Sequence, residues 1–271
     1  MMTDNPFERG YVEPASDPAD VPWIEDVEQV EPTAKSGAGI AYHNDLVQGS
    51  EEWHAARLGL LTASEMKLIL TPTLKVANND KTRAHVWEIA AQRLSRYVEP
   101  SYIGDDMLRG WEDEILARDL YSKTYAPVTE CGFVTNDKWG FTLGYSPDGL
   151  VGTDGLLECK SRRQKFQIQT IVEHYRDGSA PDDFKLQVQT GLLVTERKWI
   201  DLVSYSGGLP MIPMRIEADA EIQEAILEAS AAFEAKVAEV IADYGAALKA
   251  GLRLVPTERR VESEMYIGEA A

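Results

Sequence analysis

The sequence contains little cysteine and no long hydrophobic run. Its 271 residues include only Cys131 and Cys159, which cannot form a disulfide framework and lack the spacing of a zinc or iron–sulfur site. No apolar stretch approaches the roughly 20 residues that span a bilayer, and residues 1–34 lack the apolar core of a secretory signal. We therefore expect a cytoplasmic protein with no membrane partner.

Positive charge is also scarce, and the net charge of −18 argues against nucleic-acid binding, because affinity for phosphate comes from Lys and Arg. The deficit lies mainly at the two ends. Residues 1–34 hold nine acids and one base, residues 217–271 hold twelve acids and five bases, and residues 35–216 hold 24 acids and 21 bases. Since a bound divalent cation changes the local sign of charge, a DNA-binding centre with acidic ends remains compatible with this composition.

Three regions follow from the patterning. Residues 1–45 are acidic and Pro-rich, which predicts a disordered N-terminal segment; residues 46–217 form the predicted core, and residues 218–271 form a helical extension rich in Ala and Glu. Hydrophobic periodicity predicts helices over 51–57, 81–97, 106–125, 165–175 and 182–194, and strands over 126–134, 141–145, 155–160, 199–205 and 211–217. This order is typical of one α/β domain with a mixed sheet.

The first chemical motif is Asp148-x9-Glu158-x-Lys160. We expect the Gly-Thr-Asp-Gly turn at 152–155 to place strand 155–160 beside strand 141–145 and so bring Asp148 close to Glu158. Glu158 and Lys160 then share one face of a strand and Cys159 takes the other. Two carboxylates beside an ammonium make an oxygen site for Mg²⁺ or Mn²⁺. Glu-x-Lys alone is common, so a surface hairpin with salt-bridged charges is the alternative.

The second motif lies on the predicted helix 106–125. Gly110, Glu114, Ala117 and Tyr121 are separated by steps of four, three and four, which place them on one helix face. Glu114 would then point inward and serve as a third metal ligand, whereas Glu112 lies off this face and is solvated. A surface glutamate on a charged helix is the alternative.

Further motifs suggest contacts with an anionic substrate. Arg57 precedes the capping box Thr62-x-x-Glu65, and the helix start there carries the free Ser64 hydroxyl. The guanidinium, the helix amides and this hydroxyl all favour an anion, so we predict a phosphate-binding site at Arg57 and Ser64 and call it the phosphate grip. A simple cap with a salt bridge is the alternative. Gln187 and Gln189 are candidates for positioning water or phosphate. The alternative is that they form the solvent-exposed face of a helix. Residues 160–165 carry four bases, including Arg162 and Arg163, which favours DNA contact over a solvated charge run.

Taken together, five motifs in order over residues 50–205 resemble the YqaJ and phage-lambda exonuclease branch of the PD-(D/E)XK nuclease superfamily. They are Arg57-Leu-Gly-x-x-Thr-Ala-Ser-Glu65, Gly110…Glu114…Ala117-Arg118, Ser146-Pro-Asp-Gly-Leu150, Leu157-Glu-Cys-Lys160 and Gln187-Val-Gln189. The resemblance implies a restriction-endonuclease-like core, with a central mixed β-sheet flanked by helices.

The resemblance also implies a role for each residue. Asp148, Glu158 and the Cys159 backbone carbonyl would hold one Mg²⁺, and Glu114 would help with a second ion or its waters. Lys160 would act on the nucleophilic water with support from Gln187. Arg57 and Ser64 would bind the 5′-phosphate of the end being digested. The candidate DNA contacts named from the residues themselves are Thr62 of the capping box and Arg162 and Arg163 of the basic run.

The implied activity is the digestion of one strand of linear double-stranded DNA from 5′ to 3′. In the family this leaves a single strand for an annealing partner protein in recombination, and its best-studied members are ring-shaped trimers. We thus expect a phage or prophage protein in a bacterial host, acting on duplex ends as a homo-oligomer. The alternatives are a structure- or site-selective endonuclease on the same core and a catalytically silent DNA-end-binding subunit.

Overall fold

A computed structural model describes residues 39–99, 104–176, 179, 181–250 and 253–259. The helices are α1 (Glu51–Arg57), α2 (Met66–Ile69), α3 (Asp80–Ser95), α4 (Asp105–Thr124), α5 (Gln164–Glu173), α6 (Asp182–Thr195) and α7 (Ala220–Lys249). The strands are β1 (Ile40–His43), β2 (Leu61–Thr62), β3 (Val128–Thr129), β4 (Phe133–Asn136), β5 (Leu143–Tyr145), β6 (Gly149–Val151), β7 (Gly155–Ser161), β8 (Trp199–Tyr205) and β9 (Ile212–Glu217). None of the described helices is long and apolar enough to cross a membrane.

Two mixed sheets carry the fold. One has the order β1-β4-β5-β2 and the other β3-β6-β7-β8-β9, and each contains one parallel pair, β2–β5 and β7–β8 respectively. The parallel pair β7–β8 is joined through α5 and α6, as a parallel connection requires. The predicted fold class, a mixed sheet arrangement flanked by helices, is confirmed, although the strands divide between two sheets.

Two strand predictions are wrong in detail. Residues 126–134 do not form one strand, because β3 and β4 belong to different sheets. Between them, a Cβ on Gly132 would lie 2.0 Å from the Leu46 carbonyl oxygen, so the chain needs glycine to pass there. The turn at 152–155 joins β7 to the unpredicted strand β6, not to residues 141–145. With three residues, β6 is too short to show an alternating pattern.

The predicted disordered segment 1–45 is wrong at its C-terminal end. Residues 1–38 lie outside the described residues, but Ile40–His43 form β1, which pairs antiparallel with β4. The Gly39 amide donates to Asp137 Oδ1 at 2.8 Å just beyond this ladder. Strand β1 has only four residues, none of them fully buried, so it shows no clear hydrophobic pattern. The prediction of disorder therefore followed the acidic composition of the residues before it.

The side chains of β7 alternate between two hydrophobic clusters. Leu156 belongs to the main core, which also takes residues from α2, α3, α6, α7, β5 and β8. Leu157 and Cys159 belong to a second cluster on the other face, with Ala117 and Tyr121 of α4. This alternation follows from the two-residue period of a strand, and it places α4 against β7.

The first part of α7 is built into the main core. Ile222, Ile226, Ala229, Phe233 and Val237 are all buried there. On its flank, Glu234 accepts two hydrogen bonds from Arg93 of α3, at 2.7 and 2.8 Å. The predicted boundary at residue 217 is therefore too early, because residues 220–240 share the core of the preceding region.

Replacing Phe233 by Ala should destabilise the protein strongly, because the side chain is 4% exposed and stacks on His85 at 5.2 Å between ring centroids. Phe-to-Ala changes in cores lower the free energy of unfolding by about 3–5 kcal/mol. Urea denaturation would measure the loss. The exposed Glu228 on the same helix provides the control, since its replacement by Ala should change stability by about 0.5 kcal/mol at most. Equal effects of the two changes would show that α7 does not belong to the core.

Candidate active site

Glu158 occupies the middle of β7 and is only 2% exposed. Three donors from three different elements hold its carboxylate. The Tyr145 hydroxyl of β5 donates to Oε2 at 2.6 Å, Gln187 Nε2 of α6 donates to Oε1 at 2.6 Å, and Lys160 Nζ lies 2.6 Å from the same oxygen. A buried carboxylate requires such partners, so its orientation is set by both sheets and by α6.

Asp148 lies directly before β6 and is attached to β7. Its amide donates to the Leu157 carbonyl at 3.1 Å, and its Oδ2 accepts the Cys159 amide at 2.5 Å. The amide and carbonyl of one strand residue point toward the same neighbour. The Cys159 carbonyl, predicted as a metal ligand, therefore faces the side on which Asp148 lies.

Glu114 reaches this cluster from α4, one turn before the buried Ala117. It is close enough to Lys160 and Glu158 to interact electrostatically with both, and burial together with the negative charge of Glu158 raises the Glu114 pKa to about 7. Burial, Glu158 and Glu114 also raise the pKa of Asp148 well above its ordinary range. The structure thus brings Glu114, Asp148, Glu158 and Lys160 together, while Glu112 is exposed as predicted.

Lys160 is the cation of the cluster. Burial lowers its pKa, but the carboxylates of Glu158 and Asp148 raise it by more, so the pKa lies above its ordinary value and the ammonium stays charged. One ammonium faces three carboxyl groups in a poorly hydrated place, so their full ionisation is disfavoured.

The donor set fits a hard divalent cation, because carboxylate and carbonyl oxygens are the ligands that Mg²⁺ prefers. Burial and the neighbouring carboxylates raise the pKa of Glu114 and of Asp148, so a cation placed among these groups would favour their ionised forms. As placed, no three acidic, histidine or cysteine side chains of the described residues form a ready metal-binding group. A metal ion would compete with Lys160 and Gln187 for Oε1 of Glu158.

The predicted phosphate grip lies beside the cluster. Arg57 donates from one guanidinium nitrogen to Ser146 Oγ at 3.0 Å, two residues before Asp148, and stacks 4.2 Å from the Trp53 ring centroid. Burial lowers the Arg57 pKa, and the charge of Glu65 opposes that shift. The exposed Ser64 hydroxyl is 3.3 Å from that of Thr62, which lies within 3.4 Å of Arg57.

The capping box is confirmed. The amide and hydroxyl of Thr62 both donate to Glu65 Oε2, at 2.8 and 2.7 Å. The Thr62 hydroxyl proton is thus engaged in the cap, which leaves Arg57 and Ser64 as the better-placed groups for an anion.

Not all of the remaining predicted site residues lie at the carboxylate cluster. Gln187 contacts Glu158, whereas Gln189, two positions on and so on another side of α6, donates to the Glu217 carbonyl at 2.8 Å and has a structural role. Arg163 is exposed and forms a forked pair with Asp106 at 2.8–2.9 Å. Arg162 packs against aromatic rings beyond the end of β7.

Sequence reasoning missed Tyr145 and Phe184. Tyr145 is 1% exposed and donates to Glu158, and the Phe184 ring centroid lies 5.5 Å from Lys160 Nζ. Tyr145 stands directly before the Ser146-Pro-Asp-Gly motif, and this proximity was the only signal for it. Phe184 reads as an ordinary apolar residue of a helix.

Comparison with known proteins finds a matching family and solved structures of similar fold. The family model of the YqaJ-like viral recombinase domain matches residues 52–198. The crystal structure of an alkaline exonuclease (LHK-Exo) from Laribacter hongkongensis is 33% identical, with a TM-score of 0.60 over 73% of this chain and 100% of that one. The structure of LHK-Exo in complex with dAMP gives a TM-score of 0.61 at the same identity and coverage. No curated protein matches.

The fold and the comparisons place the chain among proteins with the PD-(D/E)XK-like nuclease fold. Within that class, it belongs to the YqaJ-like viral recombinase domain family. The family resemblance read from the five sequence motifs is therefore confirmed.

Replacing Glu114 by Gln should remove a pH-dependent loss of stability. The pKa of Glu114 is about 7 in the folded chain, against an ordinary 4.5, so folding strengthens proton binding. The stability provided by this proton is complete below pH 4.5 and is lost as the pH rises through 7. In EDTA, Glu114→Gln should therefore gain more stability over the wild type at pH 8 than at pH 5, as measured by urea denaturation.

The exposed Glu112 is the matched control for this measurement. Glu112→Gln should show no such pH-dependent gain over the wild type. A constant difference between the wild type and Glu114→Gln at both pH values would contradict the raised pKa.

Proposed function

We propose that the chain is a metal-dependent exonuclease that digests one strand of linear double-stranded DNA from 5′ to 3′. The observation that carries the proposal is the convergence of Glu114, Asp148, Glu158 and Lys160 at one place on β7. The similarity to an alkaline exonuclease supports the reaction type. A Glu-x-Lys pair with two further carboxyls suits phosphodiester hydrolysis, in which charge develops on phosphate oxygens.

Asp148, Glu158 and the Cys159 carbonyl would hold one Mg²⁺, and Glu114 would hold a second ion or its waters; Mn²⁺ can substitute. Such ions offset charge on the phosphate oxygens and lower the pKa of an attacking water. The convergence of these oxygen donors, whose ionised forms a cation would favour, supports this assignment.

The protein's own residues prepare the reacting groups. Lys160, held at 2.6 Å by Glu158 and facing Phe184, can donate to the attacking water and to the scissile phosphate. Tyr145 and Gln187 fix the two oxygens of Glu158, so that this carboxylate keeps one orientation while the substrate exchanges. Such fixed orientation reduces the reorganisation needed during reaction.

The strand polarity rests on Arg57. Its guanidinium approaches the cluster through Ser146, with the exposed Ser64 hydroxyl nearby. An arginine in this position can bind a terminal phosphate with paired, charge-assisted hydrogen bonds. A 5′-phosphate held there would present the adjoining phosphodiester to Lys160 and Glu158, which favours digestion from the 5′ end.

The family resemblance supports the biological setting of the proposal. The product would be a single strand passed to an annealing protein during phage-type recombination, and the active form would be a homotrimer acting on duplex ends.

Digestion of matched linear and circular duplexes should distinguish the candidate functions. With Mg²⁺, linear DNA labelled at its 3′ ends should keep its label on a shortening strand, whereas the relaxed circle should persist; EDTA should stop the reaction. Lys160→Ala should abolish cleavage and retain duplex binding. Cleavage of circles would favour the endonuclease alternative, and binding without any cleavage would favour the silent end-binding subunit.

Replacing Arg57 by Gln should slow digestion of 5′-phosphorylated ends more than that of 5′-hydroxyl ends. The expected difference is on the order of tenfold to a hundredfold, since hydrogen bonds to a charged group contribute about 1.5–3 kcal/mol. Initial rates on the two substrates provide the measurement. Arg83→Gln, a change at an arginine on α3 that pairs with Asp80, is the control and should affect both ends equally. Equal losses on both ends with Arg57→Gln would refute the phosphate grip.

A further inference from the structure

A pocket of about 560 Å³ lies beyond the end of β7. Three of its lining residues are arginines and one is an acid; the lining consists of Arg109, Asp113, Arg162, Arg163, Gln164, Ser206 and Gly207. We call it the Arg162 pocket. An excess of guanidinium groups in a protein of net charge −18 marks this pocket as a place for an anion.

Arg162 makes no close ion pair among the described residues, although the carboxylate of Asp183 is near enough to oppose the effect of burial on the Arg162 pKa. Its Nε is buried and has no hydrogen-bond partner among the described residues. Arg109 and Arg163, by contrast, both pair with Asp106, at 3.1 and 2.8 Å. A guanidinium group that lines a pocket without a close ion pair leaves its charge available to an anion in that pocket.

The same pocket contains the start of a helix. The ten-residue α5 begins at Gln164, and its N-cap residue Arg163 makes no side-chain cap hydrogen bond. The first amides of a helix point outward along a dipole whose positive end favours anions. This feature adds donors to the pocket independently of the Arg162 side chain.

The Arg162 pocket lies near the carboxylate cluster. Lys160 Nζ and the Arg162 guanidinium lie 5.5 and 5.0 Å from the same Phe184 ring centroid. Residues two apart on a strand are separated by about 6.6 Å, and one strand of duplex DNA advances about 3.4 Å per nucleotide. An anion bound by Arg162 would therefore lie within about two nucleotides of a phosphate at Lys160.

Hydrogen bonds stiffen the wall between the two sites. The Ser161 hydroxyl donates to Asp113 Oδ2 at 2.5 Å, and Arg109 Nε lies 3.4 Å from the same hydroxyl. The pocket is thus fixed to the strand that carries Lys160, and its position relative to the scissile phosphate is set by the fold.

We propose that the Arg162 pocket is a second phosphate subsite, which binds a backbone phosphate of the digested strand one or two nucleotides from the scissile phosphate. The proposal rests on the proposed nuclease function and specifies its substrate contact. A released mononucleotide offers the same phosphate chemistry, and the experiment below separates the two sources.

Fluorescence anisotropy in EDTA, where no cleavage occurs, tests the subsite on 5′-phosphorylated duplex at several salt concentrations. Arg162→Gln should weaken binding about tenfold to a hundredfold and make the log–log salt slope shallower by about one. Lys236→Gln removes one charge from the exposed face of α7 and is the matched control, which should bind like the wild type. Thermal denaturation of each variant verifies folding, and Arg162→Lys, which keeps the charge, should restore part of the affinity.

Duplexes with a single uncharged methylphosphonate locate the phosphate. At one position near the 5′ end, this change should weaken wild-type binding and leave Arg162→Gln unaffected. Unchanged duplex affinity in Arg162→Gln, or loss of only deoxynucleoside monophosphate binding, would overturn the subsite while the proposed function stands. Failure of the wild type to bind or cleave duplex would instead overturn the proposed function, and the subsite with it.

Discussion

The carboxylate of Glu158 is the charge around which the site is organised. It is buried at the centre of β7, and an unpartnered carboxylate in such a place would be strongly unfavourable. Tyr145, Gln187 and Lys160 therefore approach it from β5, α6 and β7 itself. Stabilising this one group requires both sheets and a helix to meet, so the fold and the site cannot be separated energetically.

The strand pairing explains why an acidic cluster is tolerated. Because β6 pairs only with residues 155–157 of β7, the amide of Cys159 is left for Asp148 rather than for another strand. Glu114 approaches the same region from α4, anchored by Ala117 and Tyr121 in the second hydrophobic cluster. Packing on both faces of β7 thus holds the carboxyl groups together at the expense of their ionisation, and a bound cation would offset the repulsion that opposes that ionisation.

The sequence predicted those features of the fold and of the site that depend on hydrophobic periodicity and on short local motifs. Helix α1 is predicted to the residue, and α3, α4, α5 and α6 are predicted to within two residues at each end, because amphipathic runs and caps are local signals. Glu158 and Lys160 were placed by the two-residue period of a strand. Tyr145 was not, because its contact joins β5 to β7 across two sheets that the sequence pattern could not distinguish. Strands β1 and β6 were not predicted, because they are too short to show an alternating pattern. The position of α7 in the core was not predicted either, because it depends on contacts between residues far apart in sequence.

The uneven distribution of charge along the chain can be related to the position of the arginines around the cluster. Acidic residues dominate at positions 1–34 and 217–271, whereas the stretch between them is nearly balanced. Within that stretch the structure gathers Arg57 on one approach to the cluster and Arg109, Arg162 and Arg163 on another. Local guanidinium groups, and not net charge, then decide where a phosphate backbone can bind. If the proposed function holds, these arginines would bind DNA near the carboxylate cluster, and the excess of acidic residues in 1–34 and 217–271 would disfavour its binding elsewhere.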